Sequence, residues 1–159
     1  GIPTERIVLV GFSQGACLVL EYAATSAVAN VRFGEYQPEA RLAEVLATGD
    51  IHVVSLRAGL ASVSVPSKTY SILAASRCVV AAVDRDTEID RLVTRAGAGI
   101  CVAPDDVDAL CTALGSLAGD PARRLALGNA GRAYVEQHPT ARDVAGAYVR
   151  LLPDSLSNS

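Results

Sequence analysis

Short apolar runs rich in β-branched residues alternate with stretches of helical periodicity. That alternation limits the possible folds more than any other feature of the chain. "RIVLVGF" (6–12), "NVRFGEY" (30–36), "DIHVVSL" (50–56), "CVVAAV" (78–83) and "AGICVA" (98–103) read as strands. Between them, "QGACLVLEYAAT" (14–25), "PEARLAEVLATG" (38–49), residues 67–76 and "TEIDRLVTRAG" (87–97) read as helices. A Gly/Ser/Pro-rich loop fills 57–66. After the fifth strand the pattern is helical throughout: "DVDALCTALGSLAG", "PARRLALGNAGRAYVEQH" and "ARDVAGAYVRLL". Gly49 is expected as a helix C-cap, and Asp120 as an N-cap followed by Pro121 in the first turn.

Strands that are apolar on both faces imply a parallel sheet covered on both sides. Right-handed crossovers then give a doubly wound α/β fold. The expectation is a five-stranded, Rossmann- or flavodoxin-like sheet of order 2-1-3-4-5. With no linker and no repeat, residues 1–152 read as one domain and 153–159 as a loose tail. In such folds ligands bind beyond the carboxyl ends of the strands, at the point where strand order reverses. The segments of interest are therefore 11–15, 57–68, 84–88 and 104–106.

Composition excludes several classes of function. Half of the 159 residues are apolar and 19% are charged, as in a globular domain. The net charge of −3 without a basic run argues against nucleic acid and anionic membranes as partners. No apolar stretch approaches the ~18 residues of a membrane span, and the first residues lack a secretory-leader pattern. There are four cysteines, no C-x-x-C pair and only two histidines, so neither a metal site nor a cofactor is expected. Cys17, Cys78, Cys101 and Cys111 all lie in apolar runs and read as buried free thiols of a reducing cytoplasm. The chain contains no methionine, which is compatible with an engineered origin.

The first chemical motif is "GFSQGA" (11–16), of the form Gly-x-Ser-x-Gly between a strand and a helix. Gly11 and Gly15 would allow the tight turn, and Ser13 would sit strained at a helix N-terminus. Residues 1–25 resemble the nucleophile-elbow unit of carboxylesterase and acyl-protein-thioesterase α/β-hydrolases. That resemblance implies Ser13 as nucleophile and the Gln14 amide as one oxyanion donor. The base is the open question. His52 begins the third strand, four residues (roughly 13 Å) below the level of Ser13, which exceeds hydrogen-bond reach. His138 and Lys68 remain as candidate bases. No "H-G-x-x-D" run supplies a triad, so weak turnover of small activated esters is the most to expect.

A longer resemblance covers residues 29–152. "NVRFGEYQP", "LATGDIHVVSLRAGLASVSVPSKTYSILAASR", "VDRDTEIDRLVTRAGAGICVAPDDVDAL" and "LGNAGRAYVEQH" resemble the nucleotide-sugar-binding half of retaining GT-B glycosyltransferases, including fucosamine transferases. The resemblance implies a donor site lined by Ser67, Lys68, Asp86, Thr87 and Glu88. Ser71 stands where many relatives have a ribose-gripping glutamate, and Cys78 stands where a proline is usual. The family also implies a further βα unit and an acceptor domain ahead of residue 1, without which the chain is not expected to transfer sugar. Together the two resemblances read as an engineered chimera with a seam at 25–30. It would be a weak esterase, a nucleotide-sugar-binding half-domain, or a recombined fold without activity. A homodimer covering an exposed sheet face is also expected. The acidic turn of Asp84, Asp86 and Glu88 reads as solvated and helix-capping, as do Asp105 and Asp106.

Overall fold

The structure, a computed structural model, describes residues 37–59, 67–138 and 141–150. A single 3-10 turn, Glu39–Arg41, leads into α1 (Leu42–Thr48). Three βα units follow: β1 (Ile51–Ser55) with α2 (Lys68–Ala74), β2 (Cys78–Ala82) with α3 (Glu88–Ala96), and β3 (Gly99–Val102) with α4 (Val107–Ala118). Helices α5 (Pro121–Glu136) and α6 (Ala141–Val149) complete the described chain.

The three strands are parallel and lie in the order β1-β2-β3. They are the strands expected at 50–56, 78–83 and 98–103. The two strands expected at 6–12 and 30–36, and with them the five-stranded order and the setting of Ser13, lie outside the described residues. β2 is buried along its whole length, as its unbroken apolar run requires of a strand covered on both faces. Val79 and Ala81 turn to one face, where Leu46, Ile72, Leu73 and Val93 of α1, α2 and α3 pack. Cys78 and Val80 turn to the other, against Ala113 and Leu117 of α4.

Local chemistry sets most of the helix ends. The Asp106 and Asp120 carboxylates accept from the amides of Ala109 and Arg123, each at 2.9 Å, and so cap α4 and α5. Gly97 closes α3 in the left-handed region at φ 58°, which its missing Cβ makes easy.

Gly49 is the C-cap of α1, as expected, with an extended backbone at φ −95° and ψ 133°. The chain runs straight from α1 into β1, and the bare α-carbon leaves room for the His52 ring, 3.2 Å from where a Cβ would stand. The helix expected over 67–76 is shorter, Lys68–Ala74, and the Ser67 side chain makes no capping bond because Ser67 is itself already helical. Cys111 is exposed rather than buried. On α4 only Ala113 and Leu117 are buried, and Cys111 lies off that face.

Helix α5 runs antiparallel to α2. A Cβ on Gly131 would stand 3.0 Å from Leu73 Cγ, and one on Gly128 would stand 2.8 Å from the Ser76 carbonyl carbon. The Arg132 guanidinium donates to the Ala74 carbonyl. Later residues of α5 thus meet earlier residues of α2, which carries Tyr134 and His138 toward the carboxyl ends of the strands.

Candidate functional site

A parallel sheet brings its strand-to-helix loops to one end. Here that end gathers residues 56–59 after β1, the start of α2, the 83–87 turn and the 103–106 turn. Side chains tie three of these pieces together. The Gly59 amide donates to Asp84 Oδ2 at 2.8 Å, joining the β1 loop to the β2 loop. The Tyr70 hydroxyl lies 3.4 Å from Glu88 Oε1, bridging the first turns of α2 and α3. Burial and the Glu88 carboxylate push the Tyr70 phenol above its usual range, so it remains a donor at neutral pH.

The 84–90 turn is built from its own side chains. Thr87 caps α3: its hydroxyl accepts from the Asp90 amide at 3.5 Å and donates to the Asp84 carbonyl at 2.7 Å. Asp90 is buried, and its carboxylate takes the Asp86 amide at 2.9 Å and Arg85 Nη1 at 3.4 Å. Asp86 sits in the left-handed region at φ 61°, a conformation costing ~1 kcal/mol or more for a residue with a Cβ. The Asp90 bond to its amide offsets that strain.

The five residues expected from the glycosyltransferase resemblance therefore share one rim. Ser67 and Lys68 are exposed at the start of α2. Asp86 and Glu88 are exposed on the adjacent turn, with Thr87 half-buried between them. Thr87 acts through its hydrogen bonds as the holder of the turn. His138 is exposed just beyond α5, with Nδ1 3.0 Å from the Tyr134 carbonyl and its ring centroid 4.6 Å from that of Tyr134. It stands at the same end as Lys68. Ser13, Gln14, Gly11 and Gly15 lie outside the described residues.

Sequence reasoning missed Tyr70 and Asp90, and read Asp84 as a solvated turn residue rather than as the acceptor of the Gly59 amide. Only Asp90 carried a usable signal, an acid on the otherwise apolar face of "EIDRLV". Among the described residues no group of three or more His, Cys, Asp or Glu side chains could hold a metal ion. No described helix is long and apolar enough to cross a membrane.

Parallel strands, covering helices and a polar rim of loops define a Rossmann-like α/β domain. A family model described as glycosyl transferase-like matches residues 3–150, and the chain belongs to that family. Among its relatives, a probable glycosyltransferase, WbjE, of Pseudomonas aeruginosa is 28% identical over 130 residues, covering 76% of this chain and 32% of that protein. A putative colanic acid biosynthesis glycosyl transferase, WcaI, of Escherichia coli K12 is 32% identical over 103 residues, covering 64% of this chain and 25% of that protein. The chain thus spans between a quarter and a third of the length of these relatives. In fold it is similar to the sucrose-phosphate synthase of Thermosynechococcus elongatus, with a TM-score of 0.70 at 21% identity over 93% of this chain and 36% of that one. One family model runs through both the Gly-x-Ser-x-Gly turn and the expected seam at 25–30. The comparisons give no support to a grafted hydrolase unit.

Proposed function

We propose that this chain is the donor-binding part of a glycosyltransferase and takes a nucleotide sugar across the rim at the carboxyl ends of β1, β2 and β3. The observation that carries this reading is the linkage of the rim itself, in a chain of the glycosyl transferase-like family. The Gly59–Asp84 and Tyr70–Glu88 bonds hold the β1 loop, the start of α2 and the 84–88 turn in a fixed relation. The rim separates two kinds of chemistry that a sugar nucleotide needs. Lys68 offers a cation and Ser67 a hydroxyl donor for the diphosphate. Asp86 and Glu88 offer carboxylates that accept from sugar or ribose hydroxyls. Thr87 fixes the spacing between them. Transfer itself needs an acceptor-binding partner across the cleft.

Calorimetric titration of the chain with UDP and UDP-sugars tests this reading. Binding with a Kd of about 1 mM or tighter, equivalent to about −4 kcal/mol, and weakened at least several-fold by Lys68→Ala, is the expected outcome. No heat and no thermal shift with millimolar nucleotide would sink it.

A second reading keeps Ser13 as an acyl-accepting nucleophile with the Gln14 amide as oxyanion donor. Its candidate bases, His138 and Lys68, stand at the carboxyl-end rim. Equal p-nitrophenyl acetate turnover by the wild type and Ser13→Ala would remove it.

A further inference from the structure

At the opposite end of the sheet lies a buried polar pair that the donor reading does not use. His52 is 1% exposed, and Nε2 stands 2.9 Å from the Leu46 carbonyl in the last turn of α1. That carbonyl can only accept, so Nε2 carries the proton and Nδ1 is a bare lone pair. Nδ1 is buried with no hydrogen-bond partner. Arg77, from the turn between α2 and β2, donates from Nη2 to the next carbonyl, Ala47, at 2.7 Å, while its Nε is buried and unpaired. One imidazole and one guanidinium therefore clamp the C-terminal carbonyls of α1. Beyond that clamp the helix is held by its one buried side chain, Leu46, and by half-buried Leu42 against the core.

We propose that this clamp is a pH-sensitive latch: protonation of His52 releases α1 from the domain while the sheet stays folded. A proton on Nδ1 creates a second buried donor at an atom that has no hydrogen-bond partner, on a ring that already feels the Arg77 charge. Opening α1 lets water solvate the imidazolium.

The charged neighbours reinforce this. From the α2–β2 turn, Arg77 is the charge that acts on the ring. Asp50, ahead of β1, is 71% exposed at its side chain and is shared between Arg77 at 3.7 Å and Arg124 of α5 at 3.9 Å. On α1, Glu44 is exposed and engaged by Arg41 at 2.9 Å. On β2, the Cys78 thiol donates to the Asp50 carbonyl at 3.3 Å, and burial pushes its ionisation up, so it brings no charge. No anion is therefore placed to compensate a charged His52. Burial depresses the imidazole below its usual range; the Leu46 and Gly49 backbone bonds oppose that, and Arg77 adds to it.

The direction follows from linkage. The closed state resists the proton and the open state accepts it near pH 6.5, so opening takes up one proton below that pH. The latch is fully closed above pH 6.5 and loosens as the pH falls. Hydrogen exchange of the α1 amides, corrected for intrinsic rates between pH 7.5 and 5, reads it directly. The opening constant of α1 is expected to rise up to tenfold per pH unit below 6.5, with Val79, Val80 and Ala81 amides of β2 unaffected. His52→Gln, which keeps a donor for Leu46 but does not titrate, should abolish the slope. A flat profile in the wild type, an unchanged slope in His52→Gln, or equal slopes in α1 and β2 would overturn the proposal. Imidazole titration by NMR of the wild type decides independently of any variant: a midpoint at or above 6.5 also overturns it.

Discussion

Two glycines in helix interiors should respond to alanine in opposite directions. Gly128 lies in α5 and Gly115 in α4. In isolation each glycine destabilises its helix by ~1 kcal/mol relative to alanine. Around Gly115 a Cβ would meet nothing within 4 Å, so Gly115→Ala should recover that propensity and stabilise the domain by ~0.5–1 kcal/mol. At Gly128 the added Cβ would stand 2.8 Å from the Ser76 carbonyl carbon and 3.4 Å from the Arg77 amide nitrogen, with the Ser76 oxygen closer still. These are backbone atoms in the turn between α2 and β2, so no side-chain rotation relieves the overlap. Helix α5 must back away from the turn, which strains its Arg132 bond to the Ala74 carbonyl and its contact with Leu73. Overpacking of this kind costs ~1–3 kcal/mol and a weakened charged hydrogen bond ~1–2 kcal/mol more. Less the ~1 kcal/mol of propensity, Gly128→Ala should destabilise by ~1–4 kcal/mol. For a domain of this size each kcal/mol moves Tm by ~2–4 °C. Circular-dichroism melts with parallel urea titrations should therefore show Gly115→Ala up by a few degrees and Gly128→Ala down by roughly 5–10 °C. The same sign and size of shift in both variants would refute the close-approach argument, and with it the antiparallel seating of α5 on α2.

Two further outcomes follow from the geometry. Thr87→Ala removes the cap of α3 and the bond to the Asp84 carbonyl, and should cost ~1–2 kcal/mol in urea unfolding and weaken nucleotide binding. Asp120→Ala, a cap far from the rim, should cost ~1 kcal/mol and leave binding unchanged. Under native conditions a disulfide reagent read by peptide mass spectrometry should, among the three described cysteines, modify exposed Cys111 first. It should spare Cys101, whose ionisation burial and the Asp90 carboxylate push up to about 11, and buried Cys78, until the protein is unfolded.

What could be read from the sequence was local. Thr87 and Gly97 bracket α3 because a capping hydroxyl and a residue tolerant of positive φ are requirements of the backbone at those two points. The apolar run 78–83 identified the buried strand β2 because burial on both faces leaves no polar position. The same rules placed Gly49 at the end of α1 but not its extended backbone, nor the uncapped start of α2 at Ser67. Gly49 is small for the sake of a ring three residues ahead. Ser67 precedes α2 with helical angles, φ −54° and ψ −25°, and its hydroxyl makes no capping bond.

Contacts between segments left little trace in the sequence. Helical periodicity marks 121–138 as a helix but does not say which neighbour it meets or in which direction. The two glycines at 128 and 131, three residues apart and each unfavourable in a helix, were the available hint that something presses close to that face. Direction matters for function here. Had α5 run parallel to α2, His138 would stand at the amino ends of the strands beside the His52 latch, not at the rim with Lys68. The seating of Gly128 on the Ser76 turn thus decides which end of the sheet His138 serves. It also fixes the height of α2, so the rim carrying Ser67 and Lys68 is held from below by a contact with no chemistry of its own.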